Sequence, residues 1–354
     1  MAFSTFVNVC LPAHAQPIVK GPGADNIKFI QYSDENIALK AVKSGDIDMY
    51  LYRLPLELVS EVRKDPALTV YDRDAGSFGL LFNPTTPNDK NVLNPFQLKE
   101  VRYAMNYLID RDFVVGEILK GSATPMVDPF GISSPEYQDI ADIVESFGFR
   151  HDPTLAEKMI SDALERGGAT RQDGKWTFNG NPITIKIFIR SDDPRRNSIG
   201  EALSSDLEKI GFKVEKIFGD LSRAQLDVYG SNPKDLKWQI YTEGYAGTGT
   251  FVAYNPAFPT QMYAPWFGNM PQGYTNNTLD EITQKLVNLN FTSKDERTDL
   301  VREAVTQGIQ ESVRIFIAQT KEPYVASSAV NGLVNDFGAG ISSRFSLIDR
   351  KSVV

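Results

Sequence analysis

The chain has 354 residues, 42% of them hydrophobic, and a formal net charge of −8 at pH 7. Its length allows two domains, or one large domain interrupted by another, and the acidic balance argues against nucleic acid or an anionic membrane surface as its main partner. A single cysteine, Cys10, excludes an internal disulfide framework. The two histidines, His14 and His151, leave little material for a zinc site and disfavour a histidine-based catalytic triad.

The N-terminal segment has two interpretations. Residues 1–16 are weakly apolar and end in Ala-His-Ala before Gln16, as at a signal-peptidase site. However, Lys and Arg are absent near the start, and Asn8 and Pro12 interrupt the apolar stretch. We therefore interpret residues 1–25 as an N-terminal extension or a degenerate signal segment, and we favour the stump of a longer parent sequence over a cleavable signal.

The first predicted elements form a strand–helix–strand unit. In chain order they are a strand over 27–32, a helix over 34–43 that Gly45 closes, and a strand over 46–52. Ser33 or Asp34 is the N-cap of the helix, because both side chains can accept a hydrogen bond from a free backbone amide. Such a unit is the usual building block of an open α/β sheet.

A longer helical region spans 94–121, after a strand over 78–83. Apolar side chains recur in it at the spacing of a helix with one buried face, at Val101, Ala104, Met105, Leu108 and Ile109. The charged residues of 110–112 interrupt this pattern, and Gly121 supplies a stop after a second apolar run.

The second half of the chain contains a further strand–helix–strand unit. Its first strand is predicted to be half-buried, because Ile183, Ile185, Ile187 and Ile189 alternate with Thr184, Lys186 and Phe188. In chain order we predict a helix over 155–164, a hairpin edge between Gly174 and Gly180, a strand over 183–189, a helix over 198–210 that Gly211 stops, a strand over 212–218, a strand over 236–242, a loop-rich segment over 243–277, helices over 279–289 and 300–309, and an alternating strand over 313–317.

The order of residues in 94–126 is more specific than its periodicity. Pro-Phe at 95–96 is followed by Val-Arg-x-Ala at 101–104, Ile-Asp-Arg at 109–111 and Gly-x-Ala-x-Pro at 121–125. This order resembles the signature of extracellular solute-binding protein family 5, the oligopeptide- and dipeptide-binding receptors that deliver ligands to ABC importers. The resemblance extends over residues 25–340, and it includes AVKSGDIDMY in the first unit and PYVASSAVNGLVN at 323–335.

The resemblance implies an α/β fold of the periplasmic-binding-protein-like type II, a two-lobed open-sheet architecture with an incomplete first lobe. It places a partial lobe 1 at 26–76, lobe 2 at 77–322 and a return segment to lobe 1 at 323–354, with crossings near 74–80 and 320–324. Family members are longer, and their portion before the equivalent of residue 27 contains most of the first lobe and an extra domain. We therefore expect that the chain is a fragment or that a partner chain supplies the rest.

The most ligand-like region is 238–277, where aromatic side chains are interleaved with Gly, Thr, Asn and Gln. Rigid amphipathic rings among adaptable polar groups suit a binding cleft, because they bury area with little loss of entropy. The alternative is that several of these rings pack beneath a long loop. From this region we predict Tyr263 and Trp266 as ligand contacts.

In the family, the strand that corresponds to 238–242 leads into a Gly-Trp-x-x-Asp-Tyr-Pro loop, and in peptide-binding members its Asp neutralises the ligand's amino terminus. Here Tyr245 occupies the Trp position and Thr248 stands about where that Asp belongs. A buried ammonium without a carboxylate is strongly disfavoured. The substitution argues against peptide binding of that kind unless Glu243 serves instead.

A second candidate contact is the turn at 190–196, which precedes a helix. Ser191 and Asp192, with the exposed amides and the arginines of the turn, could hold an anionic group such as a carboxylate. The alternative, which we favour, is that Ser191 or Asp192 caps the helix and that the arginines are solvated. The predicted ligand-binding residues are thus Tyr245, Thr248, Glu243, Trp266, Tyr263, Ser191 and Asp192.

Signatures of enzymes are absent from the sequence: it contains no phosphate-binding Gly-x-x-x-x-Gly-Lys-Ser/Thr loop, no His-Glu-x-x-His and no Gly-x-Ser-x-Gly. The carboxylate pairs Asp192-Asp193 and Asp46/Asp48 favour turns or a solvated strand edge over a glycosidase acid pair.

We therefore predict a solute-binding component of an ABC-type importer rather than an enzyme. It captures a peptide or a similar small solute by lobe closure, with an ABC permease as its membrane partner. We expect a monomer in an extracytoplasmic location, with no nucleic acid, cofactor or metal. The alternatives are a truncated or sensor-type, non-transporting remnant of that family and, less favoured, a hydrolase on the same scaffold.

Overall fold

The computed structural model describes residues 26–52, 54–132, 134–246, 258–335 and 340–342. The predicted N-terminal extension at 1–25, the predicted contact Thr248 and the last part of the predicted return segment therefore lie outside the described residues.

A seven-stranded mixed sheet organises the fold. Its strands follow the order β1-β10-β2-β9-β7-β8, and β3 pairs with β10 beside this path. β7 runs parallel to β8 and to β9, whereas β2 is antiparallel to both β9 and β10. The strands of this sheet are β1 (Met49–Tyr50), β2 (Leu68–Phe82), β3 (Ala123–Pro125), β7 (Thr184–Arg190), β8 (Lys213–Gly219), β9 (Ile240–Ala246) and β10 (Arg314–Ser327). A separate antiparallel sheet contains β4 (Thr170–Gln172), β5 (Lys175–Phe178) and β6 (Asn181–Pro182).

Helices cover both faces of the large sheet. In chain order they are α1 (Glu35–Ser44), α2 (Leu56–Val62), α3 (Lys99–Leu108), α4 (Arg111–Phe113), α5 (Ala141–Phe147), α6 (Pro153–Arg166), α7 (Pro194–Lys209), α8 (Leu221–Ala224), α9 (Phe258–Tyr263), α10 (Asn277–Val287) and α11 (Lys294–Glu311). α4 and α8 continue as wider π-helical turns over Val114–Ile118 and Gln225–Tyr229. Short 3₁₀ turns lie at Pro95–Gln97, Pro135–Asp139, Pro233–Asp235 and Pro265–Phe267.

Both faces of the sheet carry apolar cores. Ile185, Ile187 and Ile189 pack in one core with α3, α6 and α7, as the predicted alternation requires. Phe188 lies on the opposite face and is also fully buried, in a second core with Tyr241 and Trp238. The prediction of a half-buried strand is confirmed at Thr184 and Lys186, which are partly exposed, and was wrong at Phe188, because α8 and the segments around Met270 and Tyr274 cover that ring.

The strands β2 and β10 form a long antiparallel ribbon. They pair from Leu81 and Arg314 at one end to Leu68 and Ser327 at the other, and a register shift leaves Ala75 as an extra residue. Such a bulge increases the local twist of a ribbon. The ribbon connects a small layer, which contains α1, β1 and α2, to the large body of the molecule. Both predicted crossings lie on this ribbon, while the division of the chain into lobes stays a prediction.

In the small layer, the predicted helix is confirmed and the predicted first strand is not. Asp34 caps α1 by accepting a hydrogen bond from the Ile37 amide at 2.9 Å, and Gly45 ends it with a left-handed φ of 80°. Residues 27–32 form no strand, and Phe29 is 83% exposed. A strand needs a neighbour for its backbone hydrogen bonds, and the described part of the chain places none beside this segment. The prediction of a strand at 27–32 was wrong.

The helical region after residue 94 breaks where the charged residues predicted it. α3 buries Val101, Ala104, Met105 and Leu108. The Asp110 carboxylate then accepts a hydrogen bond from the Phe113 amide at 2.8 Å and so caps the start of α4.

The strand–helix–strand unit β7–α7–β8 forms as predicted, but α7 begins earlier because Asp193 is its N-cap. α10 and α11 also begin earlier than predicted, after the caps Asn276 and Ser293. Helix caps thus set these boundaries, which the apolar periodicity alone did not locate.

Candidate functional site

The carboxyl ends of the parallel strands meet at one edge of the sheet. β7 ends at Arg190, β8 at Gly219 and β9 at Ala246. Ala246 pairs with Gly76 of β2, next to the bulge in the ribbon. Ligands of open α/β sheets bind outside the carboxyl ends of the strands. This edge is therefore the candidate site.

A cavity of about 440 Å³ opens at this edge. Small-molecule pockets range from about 300 to about 1,000 Å³, so the volume suits a small solute. Successive side chains of a strand point to opposite faces, so Tyr241, Glu243 and Tyr245 share the face of β9 that lines the cavity. The other lining residues are Arg190, Leu221, Gln225, Tyr229, Gly244, Gly268 and Asn269.

A buried ion pair forms the floor of the cavity. Arg314 donates to both oxygens of Glu243, from Nε to Oε2 at 2.6 Å and from Nη2 to Oε1 at 3.0 Å. Burial acts against the charged guanidinium, but the charge of Glu243 outweighs it and raises the pKa of Arg314 above its ordinary value. Arg314 also donates to the carbonyl oxygens of Met262 and, at 2.6 Å, of Asn269. One side chain thus ties β10, β9 and the segment after α9 together.

Two tyrosine hydroxyls point at the same carboxylate. Tyr229 donates to Glu243 Oε1 at 2.8 Å, and Tyr245 donates to the same oxygen at 3.5 Å. The guanidinium of Arg314 lies 5.7 Å from the centre of the Tyr245 ring. Burial raises the pKa of both phenols, so both stay protonated at neutral pH. Both oxygens of Glu243 are therefore already engaged by groups of the protein.

Arg190 is the second cation of the cavity, and it is also paired. Its Nε and Nη2 donate to the two oxygens of Asp192, each at 2.7 Å, and its Nη1 donates to the Tyr241 hydroxyl at 3.1 Å. The hydrogen bonds from Arg190 lower the pKa of the Asp192 carboxyl.

The turn at 190–196 differs from its prediction in two ways. Asp193, rather than Ser191 or Asp192, caps α7, and it accepts a hydrogen bond from the Arg195 amide at 3.0 Å. Arg190 and Arg196 are only 7% and 8% exposed, so the prediction of solvated arginines was wrong. They are buried because each has a polar partner in the sheet. For Arg196 the partner is the Gly244 carbonyl, at 2.6 Å.

The structure brings some of the predicted ligand contacts together and leaves others apart. Glu243 and Tyr245 line the cavity, and Asp192 holds one of its arginines. Ser191 is exposed beside that pair and donates its amide to the Gly219 carbonyl at 3.0 Å. Their contact with a ligand stays a prediction.

The two predicted contacts from the loop-rich segment do not line this cavity. Tyr263 is 2% exposed and packs against Phe316 and Gly308. Trp266 is 42% exposed and donates its indole N–H to Thr283 at 3.1 Å.

Of the residues that line the cavity, the predicted ligand contacts include Glu243 and Tyr245 and miss the others, among them Tyr241, Tyr229 and Gln225. The alternation of β9 places Tyr241 beside Glu243 and Tyr245, and this signal was available. Tyr229 and Gln225 come from the π-helical turn after α8, whose wider spacing no periodic pattern indicates.

Two general features of the described residues bear on function. No described helix has both the length and the apolar character needed to cross a membrane. Within the same ranges, no group of three or more His, Cys, Asp or Glu side chains converges as a metal site.

Two curated bacterial binding proteins are similar to the chain. The glutathione-binding protein GsiB of Pectobacterium atrosepticum is 23% identical over 313 residues, which are 88% of this chain and 55% of that protein. The nickel-binding protein NikA of Staphylococcus aureus is 22% identical over 317 residues, which are 87% of this chain and 56% of that protein. The chain thus spans about half the length of the curated relatives it matches.

Solved structures share the fold. The oligopeptide-binding protein AppA of Bacillus subtilis, in complex with a nonapeptide, superposes with a TM-score of 0.63 at 15% identity, over 90% of this chain and 59% of that one. The putative peptide-binding protein AppA of Clostridium difficile gives a TM-score of 0.68 at 16% identity, over 91% and 61%. The architecture is therefore the periplasmic-binding-protein-like α/β fold predicted from the sequence.

One family model, described as bacterial extracellular solute-binding proteins, family 5 Middle, matches residues 19–265. This match covers well over half of the chain and includes the signature at 94–126 and all of β9. The chain belongs to the bacterial extracellular solute-binding proteins of family 5.

Proposed function

We propose that the protein is a solute-binding component of an ABC-type importer, which captures a peptide or a similar small solute in the cavity at the carboxyl edge of β7–β9. The observation that carries this proposal is the position of the cavity. It lies where β9 ends beside Gly76, next to the ribbon that connects the small layer to the large body.

The β2–β10 ribbon supplies a route for closure. A pair of hydrogen-bonded strands bends most easily at a bulge, and Ala75 is such a bulge. Beside it, Arg73 pairs with Glu322 and lies over the Tyr324 ring, which keeps the two strands together while they bend. Closure of the small layer onto the cavity traps the solute, and a permease at the membrane then recognises the closed form. No covalent step is part of this mechanism, and the working location is extracytoplasmic.

Two other functions remain as alternatives. A truncated or sensor-type remnant would bind no solute by itself. A hydrolase would need a free nucleophile or an acid pair. The carboxylates of the cavity, Glu243 and Asp192, both engage their oxygens with arginines, which disfavours the hydrolase.

The test is ligand-induced stabilisation of the full chain. Thermal unfolding is followed with a panel of di- to pentapeptides, glutathione, nickel–histidine complexes and neutral saccharides. A bound solute at about 100 times its Kd stabilises the folded state by about 2.7 kcal/mol, a shift of several degrees. Tyr245→Ala, which removes a wall of the cavity, should abolish the shift, and Tyr107→Phe on α3 should not.

The outcomes separate the alternatives. If the panel produces no shift, the stand-alone receptor is wrong and the remnant is favoured. Turnover of a panel member would support the hydrolase instead.

A further inference from the structure

The charged side chains of the cavity cancel one another. Glu243 is paired with Arg314 through two hydrogen bonds, and Asp192 is paired with Arg190 through two more. Each pair joins one cation to one anion at 2.6–3.0 Å. The described wall of the cavity therefore presents no net charge to a ligand.

Neutral hydrogen-bonding groups remain available to a ligand. The Tyr241 hydroxyl accepts a hydrogen bond from Arg190, so its own proton is free to donate. Tyr229 donates its proton to Glu243, so its oxygen is free to accept. Gln225 adds an exposed amide, which both donates and accepts. These groups suit a ligand whose polar atoms are donors and acceptors at once, as hydroxyl groups are.

Aromatic rings and one leucine supply the apolar part of the wall. Tyr229 and Tyr241 meet edge to face, with ring centres 6.0 Å apart. Leu221 lines the rim and is 49% exposed. Ring faces next to hydroxyl and amide groups bind a compound that has both C–H faces and hydroxyl edges.

The cavity disfavours the binding of a charged ligand group. An ammonium would find Glu243 and Asp192 already paired, and a carboxylate would find both arginines already paired. An ion that leaves water without a free counter-charge pays a large desolvation cost. Resting on the proposed solute-binding function and narrowing its ligand class, we propose that the cavity takes an uncharged, hydroxyl-rich solute such as a mono- or disaccharide rather than a zwitterionic peptide.

The experiment measures binding of a saccharide panel and of zwitterionic tripeptides to the full chain by calorimetry. A neutral saccharide should bind with a Kd that changes by less than about twofold between about 0.05 and about 0.5 M salt, because screening does not act on an uncharged ligand. Tyr241→Phe should weaken binding about tenfold, since it removes the free donor and leaves the ring in place.

Two controls keep the result interpretable. Tyr107→Phe removes a hydroxyl from α3, outside the cavity, and should leave the affinity unchanged. Circular dichroism of Tyr241→Phe establishes that it folds, and Tyr229→Phe provides a second test of the same wall.

The outcomes distinguish the inference from the function on which it rests. If tripeptides bind with a salt-dependent Kd and saccharides do not bind, the solute-binding function stands and the neutral-ligand inference is overturned. If a saccharide binds but Tyr241→Phe leaves its affinity unchanged, the neutral-ligand inference alone is overturned. If no solute of the panel binds, both are wrong.

Discussion

Arg111 shows what the family signature does at the scale of a single residue. It is almost fully buried, and it donates to the carbonyl oxygens of Met126, Phe316 and Asn106 and to the Asn106 side chain, at 2.9–3.1 Å. Burial lowers its pKa to about 10. Arg102, near the start of α3, likewise donates hydrogen bonds to the carbonyl oxygens of Phe96 and Glu311. The signature that identified the family is therefore structural, and it contributes no group to the cavity.

Breaking the ion pair under the cavity should be costly. Glu243→Gln leaves the buried Arg314 charge without its partner, which should destabilise the fold by about 3–5 kcal/mol. The double variant Glu243→Gln/Arg314→Met should lose less than Glu243→Gln, because no charge is left unpaired. Urea unfolding of both variants measures the difference. A double variant that loses as much stability as Glu243→Gln, or more, would contradict the prediction.

A buried carboxyl gives a second prediction, on pH dependence. Asp128 is 1% exposed, and burial raises its pKa from its ordinary value to about 6. The folded state then binds more protons than the unfolded state between about pH 4 and about pH 6, so this group's contribution to stability falls as pH rises through that window. As the pH rises from 4 to 7, the free energy of unfolding of Asp128→Asn should increase by about 2–3 kcal/mol relative to that of the wild type.

Denaturant unfolding at several pH values measures this gain. The Asn amide oxygen can still accept the Phe130 amide hydrogen bond, which Asp128 accepts at 2.8 Å, so the fold should be kept. A constant difference between the two proteins across the window would contradict the prediction.

At the scale of elements, side-chain caps decide where helices begin. α1, α4, α6, α7, α10 and α11 each start at an Asp, Asn or Ser whose side chain accepts a hydrogen bond from the first turn. The apolar periodicity located each of these helices but placed several starts two to six residues too late. The first turn of a helix is polar, because its amides and its cap face solvent. The periodicity of apolar residues therefore cannot locate where the helix begins.

The N-cap of α11 allows a test of the role of side-chain caps. Ser293 Oγ accepts the Glu296 amide hydrogen bond at 3.1 Å. Ser293→Ala leaves that amide without its acceptor and should cost about 1 kcal/mol, whereas Ser293→Asp should stay within a few tenths of the wild type. Thermal unfolding measures both. Equal losses in the two variants would show that the cap is not the cause.

At the scale of the whole molecule, the β2–β10 ribbon is the element on which the layers depend. The two strands approach so closely that a Cβ at Gly79 would meet the Ile315 carbonyl oxygen at 2.5 Å. The atoms nearest to this Cβ position all belong to the backbone of Ile315 and Phe316. No side-chain rotation can therefore relieve the clash. Any side chain at this position therefore requires the two strands to move apart.

Gly79→Ala should destabilise the protein by about 1–3 kcal/mol, since the ribbon has to separate to admit the methyl group. Gly116→Ala is the matched control, because a Cβ at Gly116 meets nothing within 4 Å. That control should be neutral or stabilising by up to about 1 kcal/mol. Urea unfolding of the two variants tests the prediction, and an equal response would contradict it.

The sequence by itself determined the family, the α/β class and most elements, because apolar periodicity and the 94–126 signature are local properties of the chain. It also predicted a strand over 236–242, which overlaps β9 at 240–242, and named Glu243 and Tyr245 in the segment that follows, where the structure continues the strand to Ala246. The tertiary structure decided that 27–32 has no strand partner among the described residues, and that Phe188 is buried on the second face of its strand. The net charge of the cavity wall likewise depends on the tertiary structure. Arg314 lies 71 residues from Glu243 along the chain, and only the pairing of β10, β2 and β9 brings them together. Pairing between distant strands depends on the whole fold, so no local pattern could predict it.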